Sequence, residues 1–388
     1  MSIQSIRMAQ SYAAEARQAV QEFHAAVAQP DAELVIFFCS SEYDLDVLAA
    51  EMNHLFAGVQ VVGCTTAGEI GPAGYLSHSL SGASFAAGSC VAVSEVLDHL
   101  SQFDITRGHN FSQALLQRLE SKAPQAGPDN SFAFMLIDGL SVREEPVAHA
   151  LQYALGKIPL IGGSAGDDLK FARTSIFGNG RFHLDSVALI LITTPLPFKI
   201  FKTQHFVSTD ERLVVTEADT TRRIVKEING LPAAEEYARL VGVDVHDLNP
   251  MRFAAAPVVV MIDGTDYVRS IQKANPDGSL TFFCAIEEGL VFRVAHGVDL
   301  VNNLEQTFDN IRAEIGQPQL VFACDCILRT LEIHQKDLKE RIGEIFRRNN
   351  TIGFNSYGEQ FHGIHVNQTL TGVAIGAAPE SKMETRDV

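Results

Sequence analysis

The chain is poor in positive charge. Its 388 residues carry 47 acidic side chains against 30 Lys and Arg, a formal net charge of -17. No cluster of Lys and Arg interrupts this acidic balance. Because proteins bind the phosphate backbone through such clusters, we do not expect nucleic acid as a partner.

Long apolar segments are also missing. The first residues, MSIQSIRMAQ, contain no apolar run of signal-peptide length. The most apolar later stretch, SVALILITTPLPF, is interrupted by Pro195 and Pro197 and is too short to span a bilayer. We therefore expect a cytoplasmic protein with no membrane partner and with its six cysteines reduced. A hydrophobic content of 46% is ample for a packed core.

Several motifs that carry chemistry are absent. No Cys-x-x-Cys-His occurs, which excludes covalently attached c-type haem. Ser164, Cys64 and Ser356 are possible nucleophiles on the glycine loops, but none lies in a Gly-x-Ser-x-Gly elbow with the expected strand-to-helix context. We therefore predict that the chain is not an enzyme. A hydrolase or transferase that uses these loops, with a carboxylate and a histidine as acid-base partners, remains an alternative.

A unit of strand, helix, strand, loop and strand occurs three times. The apolar runs LVIFFCSS, FAFMLIDG and LVFACDC begin at Leu34, Phe132 and Leu320 and are typical of buried strands. Helical stretches follow at 43–56, 144–155 and 328–348, and then come the loops VVGCTTAGEI, PLIGGSAGDD and TIGFNSYGEQ. Strands alternating with helices predict an α/β fold with mixed sheets, parallel pairing and helices on the faces.

The three glycine loops are the predicted pocket, because open α/β sheets bind ligands at the carboxyl ends of their strands. They are not phosphate loops of the Walker type, since all three lack its Lys. The residues we assign to this pocket are Gly63, Thr65, Gly68, Glu69, Gly162, Gly163, Asp167, Gly353, Gly358 and Glu359. The second loop fits only with a shift of one residue, so that Asp167 or Asp168 matches the two glutamates. The alternative is structural: glycines for close packing and acids that hold the loops shut.

Cys324 and Cys326 complete the predicted pocket. We expect their thiols to point to opposite faces of a strand, which suits joint ligation of one metal poorly. Four soft ligands would be needed for zinc or an iron-sulfur cluster, and no second cysteine pair accompanies this one. We assign both to packing beside the pocket, with a metal or redox role as the alternative.

The glycine loops resemble the signatures of the FIST domain family. The similar stretches are Gly63 to Glu69, Ile161 to Asp167 and Tyr357 to Glu359, and the likeness covers residues 30–380. Leu231 to Tyr237 resembles the opening of the family's C-terminal module. The resemblance implies two FIST-type modules, 1–200 and 201–388. The second is expected to be β-rich, with a turn at 275–278, and a short polar tail is expected at 378–388.

Four further stretches, FKTQHF, YVRSIQKANPDGSLTFFCAIEEGLV, CDCILR and HVNQTLTG, resemble the bacterial nitric-oxide sensors of this family. That likeness implies haem b (heme, iron) as cofactor and nitric oxide as its ligand. It also implies a histidine kinase partner in two-component signal transduction, and a homodimer as an expected assembly. The alternative is a FIST-type sensory module that binds a small organic ligand such as an amino acid.

Haem b without covalent attachment must be held by an axial ligand and apolar contacts. We rank His205 first as the metal ligand because it lies at the connection between the modules, where pockets tend to form. His183 and His365 follow as cofactor-binding candidates. We expect replacement of His205 by Ala to release haem without unfolding the protein. The alternative for each histidine is a structural, hydrogen-bonding role.

Overall fold

The computed structural model describes residues 5–262 and 264–377, and it has the predicted α/β class. The polar tail predicted for 378–388 lies outside these residues. Helices and strands alternate along most of the chain, and the strands form four mixed or antiparallel sheets among the described residues. Because parallel and antiparallel pairs occur within the same sheet, the prediction of mixed sheets is confirmed.

The elements are arranged as two uninterrupted repeats and a third repeat that is interrupted by one insertion. The first repeat contains β1 (Ile6–Ser11), α1 (Ala16–Val27), β2 (Ala32–Ser40), α2 (Leu45–Leu55), β3 (Gln60–Thr66), β4 (Glu69–Gly71), β5 (Gly74–Leu76) and β6 (Leu80–Ala86). The second contains β7 (Val91–Leu97), α3 (Ile105–Lys122), β8 (Ser131–Ile137), α4 (Glu144–Leu155), β9 (Leu160–Ser164), β10 (Ile176–Gly178), β11 (Arg181–His183) and β12 (Val187–Thr193).

The third repeat begins with β13 (Phe198–Thr203) and is interrupted by the insertion, residues 204–299. The insertion contains β14 (Phe206–Asp219), β15 (Ile224–Ile228), β16 (Leu231–Pro232), α5 (Ala233–Val241), α6 (Pro250–Ala255), β17 (Val258–Ile262), β18 (Thr265–Arg269), β19 (Ile271–Ala274), β20 (Leu280–Phe282) and β21 (Val291–Gly297). The third repeat continues with α7 (Leu300–Ile315), β22 (Leu320–Cys326), α8 (Ile327–Gln335), α9 (Lys339–Arg348), β23 (Thr351–Ser356), β24 (Glu359–Phe361), β25 (Ile364–Val366) and β26 (Leu370–Ile375).

Each repeat forms a sheet with the same strand order. The orders β1-β6-β2-β3, β7-β12-β8-β9 and β13-β26-β22-β23 are equivalent, with one parallel pair in each sheet. The repeated unit therefore includes a first strand and a first helix that the apolar runs had not indicated. We call the three repeats together the body.

The short hairpins are exchanged between repeats. The hairpin β4–β5 adds to β23 of the third repeat, β10–β11 adds to β3 of the first, and β24–β25 adds to β9 of the second. Each repeat thus adds a hairpin to the sheet of another, in a cyclic exchange among the three repeats. Because every sheet depends on a hairpin from elsewhere in the chain, no repeat is complete alone.

The inner faces of the three sheets share one apolar core. Phe38, Phe134 and Phe322, one from each sheet, lie with ring centroids 5.6 to 6.5 Å apart. The outer faces pack against helices α1 and α2, α3 and α4, and α7 to α9. Burial on both faces explains why the central strands read as continuous apolar runs instead of alternating ones.

The insertion is rich in strands and has its own core, which includes Leu213, Tyr237, Phe253 and Phe292. The predicted turn joins β19 to β20, where the N–H of Asn275 donates to the carbonyl of Ser279 over 2.8 Å. The β-rich character predicted for the second half of the chain is therefore confirmed. The boundary at residue 200 falls inside β13, and the division into two modules stays a prediction.

One predicted helix is wrong. The stretch 328–348 forms two helices, α8 and α9, because Asp337 adopts a left-handed conformation with φ of 54°. That conformation cannot continue a right-handed helix.

Candidate functional site

The three glycine loops meet in a ring at the carboxyl ends of β3, β9 and β23. The N–H of Gly166 donates to Thr65, that of Ala67 to Asn355, and that of Tyr357 to Ser164, over 3.0 to 3.1 Å between the main-chain atoms. Sequence repetition thus placed these loops correctly as neighbours. Their role follows from what each residue contacts.

Glycine is required where neighbouring strands approach closely. A Cβ at Gly63, Gly162 or Gly353 would lie 2.5, 2.0 or 1.8 Å from a carbonyl oxygen of the adjacent parallel strand. A Cβ at Gly163 would lie 2.9 Å from the sulfur of Cys324. Gly68, with φ of 125°, has the left-handed backbone that favours glycine. These contacts support the structural interpretation of the glycines.

Glu69 and Glu359 occupy equivalent, fully buried positions. Glu69 accepts hydrogen bonds from the N–H and hydroxyl of Ser79, at 2.9 and 2.7 Å, and Glu359 accepts one from the hydroxyl of Thr369 at 2.6 Å. Each carboxyl therefore ties its loop to the start of the following strand. Burial raises the pKa of each to about 8.

The second repeat departs from this pattern, which corrects the match of Asp167 or Asp168 with the two glutamates. Ile176 takes the equivalent place in β10, because Phe177 pairs with Gly63 as Ile70 pairs with Gly353. Residues 167–174 are an extra segment. The carboxylate of Asp167 accepts N–H groups of residues 171, 172 and 173 at 2.7 to 2.9 Å, and so shapes that segment.

Two pockets lie against the loops. One, of about 190 Å³, lies between the first loop and α8 and is lined by Gly68, Asp168, His334, Lys339 and Asn355 among others. The other, of about 300 Å³, is lined by Asp44, Asp167, Lys170 and other residues beyond β2. A larger pocket of about 580 Å³ lies at the opposite end of the strands, beside Cys90 and Pro195. None of the three predicted histidines lines these pockets.

The expectation for Cys324 and Cys326 is wrong in its geometry. Side chains two residues apart on a strand share a face, and it is Asp325 between them that points to the other side. Cys324 packs in the common core and Cys326 in a small cluster with Tyr357. Asp325 instead bonds to Arg329 on the helix side. Burial raises the pKa of both thiols well above the usual range, so packing describes them well.

His205, the first-ranked metal ligand, lies in a buried ionic network. Its Nε2 is 2.9 Å from a carboxylate oxygen of Glu332, and its Nδ1 is 3.2 Å from Nη1 of Arg329. Because guanidinium only donates, Nδ1 accepts and Nε2 carries the proton given to Glu332. Burial lowers the pKa of His205. Both ring nitrogens are engaged, so the residue as placed does not fit axial ligation of haem iron.

His183 is engaged in the same way. Its Nδ1 lies 2.8 Å from a carboxylate oxygen of Asp98 and its Nε2 3.1 Å from the carbonyl of Gly178. This arrangement does not fit a haem ligand either. Among the described residues, no group of three or more His, Cys, Asp or Glu side chains is placed to hold a metal ion.

His365 is different, because its Nε2 is buried and has no partner in the protein. Its Nδ1 lies 3.2 Å from the amide nitrogen of Gln360, which also donates to Ser164. The amide therefore makes Nδ1 an acceptor and leaves the proton on Nε2. Burial lowers the pKa of His365, so the ring is a neutral, buried N–H donor.

The position of Gln360 and His365 is apolar in the other two repeats. The strand pairing makes Gln360 equivalent to Ile70 and Phe177, and His365 equivalent to Tyr75 and Phe182. Those residues belong to apolar clusters between sheet and helix. Polar residues therefore replace core residues at one of three equivalent places, where a fold alone would favour apolar ones.

The insertion covers this place. Arg269 donates through Nη1 to the carbonyl of His365 over 3.1 Å, and the N–H of Ser270 lies 3.5 Å from the side-chain oxygen of Asn367. The amide of Gln368 donates to the carbonyl of Ala254 over 2.8 Å. We call the following residues the seam site: His365, Asn367 and Gln368 of the body, with Gln360 bonded to His365, and Arg269 and Ser270 of the insertion.

Each residue of the seam site has a buried side-chain atom without a protein partner among the described residues. These atoms are Nε of Arg269, Oγ of Ser270, Oε1 of Gln360, Nε2 of His365, Nδ2 of Asn367 and Oε1 of Gln368. Two of them converge on Gly358, where a Cβ would lie 2.7 Å from Nε2 of His365 and 2.9 Å from Nδ2 of Asn367. Glycine at this position thus lets the His365 ring and the Asn367 amide pack directly against the loop backbone.

A buried ion cluster holds the insertion beside this site. Nη2 of Arg223 lies 2.6 Å from a carboxylate oxygen of Glu144 and 2.5 Å from one of Glu145, both at the start of α4. Glu145 also accepts the N–H of Ala285 over 2.6 Å. Burial acts to raise the pKa of Glu145, but opposing contributions, among them the charge of Arg223 and the N–H of Ala285, lower that pKa overall. We call Arg223, Glu144 and Glu145 the Arg223 clamp. It depends on opposite charges that are largely shielded from water.

Sequence reasoning identified His365 but missed the rest of the seam site. Arg269 and Ser270 lie in the quoted stretch YVRSIQ, and Asn367 and Gln368 in HVNQTLTG. A signal was present in the repeats, since aligning TIGFNSYGEQF with VVGCTTAGEIG sets Gln360 against Ile70.

The family models match most of the chain. The FIST N domain matches residues 33–231 and the FIST C domain residues 233–362, so the chain belongs to the FIST family, whose domains are sensory domains of signalling proteins. No curated protein is significantly similar in sequence. In the described segments, no helix is long and apolar enough to cross a membrane.

Two solved structures show a weak likeness. A cyanuric acid hydrolase from A. caulinodans has 9% identity and a TM-score of 0.37, over 96% of this chain and 99% of that chain. A second cyanuric acid hydrolase structure has 11% identity and a TM-score of 0.30, over 76% of this chain and 99% of that chain. Both TM-scores are too low for the likeness to inform the fold or the chemistry of this chain.

Proposed function

We propose that the chain is a sensory protein and that its ligand, a small polar organic molecule with an anionic group, binds at the seam site. The observation that carries this proposal is the set of six buried, unpartnered polar atoms at one contact between body and insertion. A buried polar group without a partner costs about 1–3 kcal/mol, so native proteins seldom leave several together. A bound molecule would supply the missing partners.

The donors and acceptors indicate the class of ligand. Arg269, His365 and Asn367 offer unpaired N–H groups, and the guanidinium adds positive charge. These groups suit the oxygens of a carboxylate. The free oxygens of Gln360 and Gln368 suit an ammonium or amide donor. A free amino acid or a similar zwitterion presents both kinds of group.

A ligand at the seam site would produce a signal by changing the arrangement of the insertion on the body. The seam site joins elements that are distant in sequence, and the insertion leaves the body through two adjacent connections, where Val298 donates to the carbonyl of His205 over 2.7 Å. A ligand that bonds to both sides would favour the closed arrangement of body and insertion by its differential affinity. A partner protein would then respond to that arrangement.

Haem b, nitric oxide and a histidine kinase partner, which the resemblance to the nitric-oxide sensors of this family implies, stay predictions. His205 and His183 do not fit axial ligation as placed, and His365 is surrounded by polar groups instead of apolar contacts. We therefore derive no step through haem. The prediction that the chain is not an enzyme is likewise left to experiment.

The test is a thermal-shift screen of the full chain with free amino acids and small carboxylates, followed by calorimetry. A ligand that binds only the folded state at about 100 times its Kd should add about 2.7 kcal/mol to the free energy of unfolding. Arg269→Gln should weaken binding at least about tenfold, because a charge-assisted bond is lost. Arg222→Gln, at an exposed arginine of the same insertion, is the matched control.

Two results would overturn the proposal. One is a screen in which no compound raises the melting temperature. The other is a ligand whose affinity is the same for Arg269→Gln as for the wild type. A visible spectrum of the protein, expressed with haem supplied, separates the alternatives: a Soret band that His365→Ala removes would favour a haem site in place of a site for free amino acids.

A further inference from the structure

The insertion presents two arginines directly opposite each other. Arg212 of β14 and Arg293 of β21 are cross-strand neighbours, and the next pair on the same face is Val214 with Val291. Arg212 is exposed and Arg293 half-buried. Like charges in directly opposed positions destabilise a sheet. The pair therefore works against the stability of the isolated fold.

Neither arginine is neutralised by the described part of the chain. Although Asp210 and Glu211 precede Arg212, no ion pair or hydrogen bond links either guanidinium to another described residue. The repulsion between the two opposed arginines is therefore not offset by an acid of the described part of the chain.

The sheet face that carries them also holds apolar side chains and is only partly covered. At one end it is buried, with Val259 of β17 and Ala295 of β21 packed against Phe206 and Val268. The same face continues along these strands to Met261 and Val291, which are 47% and 43% exposed, and to Val214. We call Arg212, Val214, Met261, Val291 and Arg293 the arginine patch.

We propose that the arginine patch is the docking surface for an acidic segment of a partner protein. Carboxylates of such a segment would pair with the two guanidinium groups, which can each bind a carboxylate through two parallel bonds. Apolar side chains between the acids would cover Val214, Val291 and Met261. Binding removes the like-charge repulsion and the exposure of the valines at the same time.

A second copy of the chain is a poorer occupant. A two-fold symmetric contact would place the same patch on both sides and bring four arginines together. The chemistry of the patch therefore favours an acidic partner over self-association. This inference does not depend on the seam site, which lies at the contact of the insertion with the body.

The test uses the full chain and a fluorescein-labelled peptide of alternating Glu and Val, with an alternating Lys and Val peptide as its charge control. Fluorescence anisotropy should show binding of the acidic peptide that weakens with salt, and none of the basic peptide. Arg293→Glu should weaken binding at least about tenfold, because it removes one cation and adds a repelling acid. Arg222→Glu, in the same insertion, should leave it unchanged.

A second measurement keeps the test independent of folding. Arg293→Glu sets a glutamate opposite Arg212, so its melting temperature should equal or exceed that of the wild type. A lower melting temperature would mean that Arg293 is needed by the fold, and it would overturn the proposal. So would equal affinity of wild type and Arg293→Glu for the acidic peptide, or equal affinity for both peptides. A wild-type dimer in sedimentation that Arg293→Glu dissociates would overturn it in favour of a second copy.

Discussion

The hairpins β4–β5 and β24–β25 have the same backbone and the same place in their sheets, yet they bury different chemistry. The first places Ile70 and Tyr75 between sheet and helix, and the second places Gln360 and His365 there. Tyr75 satisfies its hydroxyl with Asp325, whereas His365 keeps a buried N–H without a partner. The fold is therefore compatible with apolar residues at this position, and the polar pair needs another explanation.

The two hairpins bury different residues because different elements pack over them. Helices α8 and α9 of the body cover the first, and the insertion adds Arg269, Ser270 and the Arg223 clamp over the second. Polar residues on both sides of one contact, several of them with a buried atom that has no partner among the described residues, are what a site for a polar ligand requires. Because the chain contains three repeats, each position can be compared with the equivalent positions of the other two repeats.

The largest expected effect concerns the clamp, which only the second repeat has. Arg223→Met leaves Glu144 and Glu145 buried without their cation, so the free energy of unfolding should fall by about 3–5 kcal/mol in urea denaturation. Lys226→Met removes the exposed pair with Glu217 and should cost less than about 1 kcal/mol. A loss for Arg223→Met as small as that of the control would show that the clamp does not hold the insertion.

His205 gives the next effect. The structure replaces the expectation that His205→Ala leaves folding intact, because the ring is buried and bonded to Glu332 and Arg329. Its removal takes one buried hydrogen-bond partner from each of Glu332 and Arg329, and the free energy of unfolding should fall by about 2–3 kcal/mol. His109→Ala, on the exposed face of α3, should change it by less than about 0.5 kcal/mol. Similar values for both variants would contradict the network.

The equivalent acids Glu69 and Glu359 should produce equal pH effects. Their pKa in the folded state is raised to about 8, from an ordinary value of 4.5, so the folded state holds protons that the unfolded state releases. Each carboxyl therefore contributes fully to the stability of the folded state at pH values below the ordinary pKa of 4.5. This contribution is lost as pH rises to about 8. Each should lower the free energy of unfolding by about 1.4 kcal/mol per pH unit within that window.

Urea denaturation of Glu69→Gln and Glu359→Gln across this pH range measures the slope. Each variant should lack one such contribution, and the two difference curves should coincide. A difference curve that stays flat, or that rises with pH, would mean that the carboxylates are ionised in the folded state.

The smallest effect on stability is expected at the seam site. Gln360→Leu combined with His365→Leu makes this position apolar, as it is in the other repeats. Because both members of the pair are removed together, the free energy of unfolding without ligand should stay within about 1 kcal/mol of the wild type. Stabilisation by ligand should disappear. A loss of several kcal/mol would show instead that the polar pair supports the fold.

Features that depend on neighbouring residues could be predicted from the sequence, whereas features that depend on contacts between distant residues could not. The buried strands, the helix of 144–155 and the equivalence of the three glycine loops follow from local apolar runs and from repetition. The exchange of hairpins is invisible locally, since β24 could pair within its own repeat by the same pattern. Spacing in the sequence matched Asp167 to Glu69. In the structure Asp167 begins an extra segment, and Ile176 takes the position equivalent to Glu69.

The polar sites were harder still. The sequence suggested that His205 lies at a pocket. In the structure both of its ring nitrogens are hydrogen-bonded, to Glu332 and to Arg329, which lie more than a hundred residues away in sequence. The seam site combines residues 269–270 with 360–368, and no local pattern relates the two. The thiols of Cys324 and Cys326 were misplaced by a simpler error, since residues two apart on a strand share a face.

The most direct test of the seam site is a crystal structure of the full chain grown with the compound that raises its melting temperature most. We predict electron density for that compound between hairpin β24–β25 and the insertion, bonded to Nε2 of His365 and Nε of Arg269. Density for the compound elsewhere, with the six seam atoms paired to one another, would contradict the account.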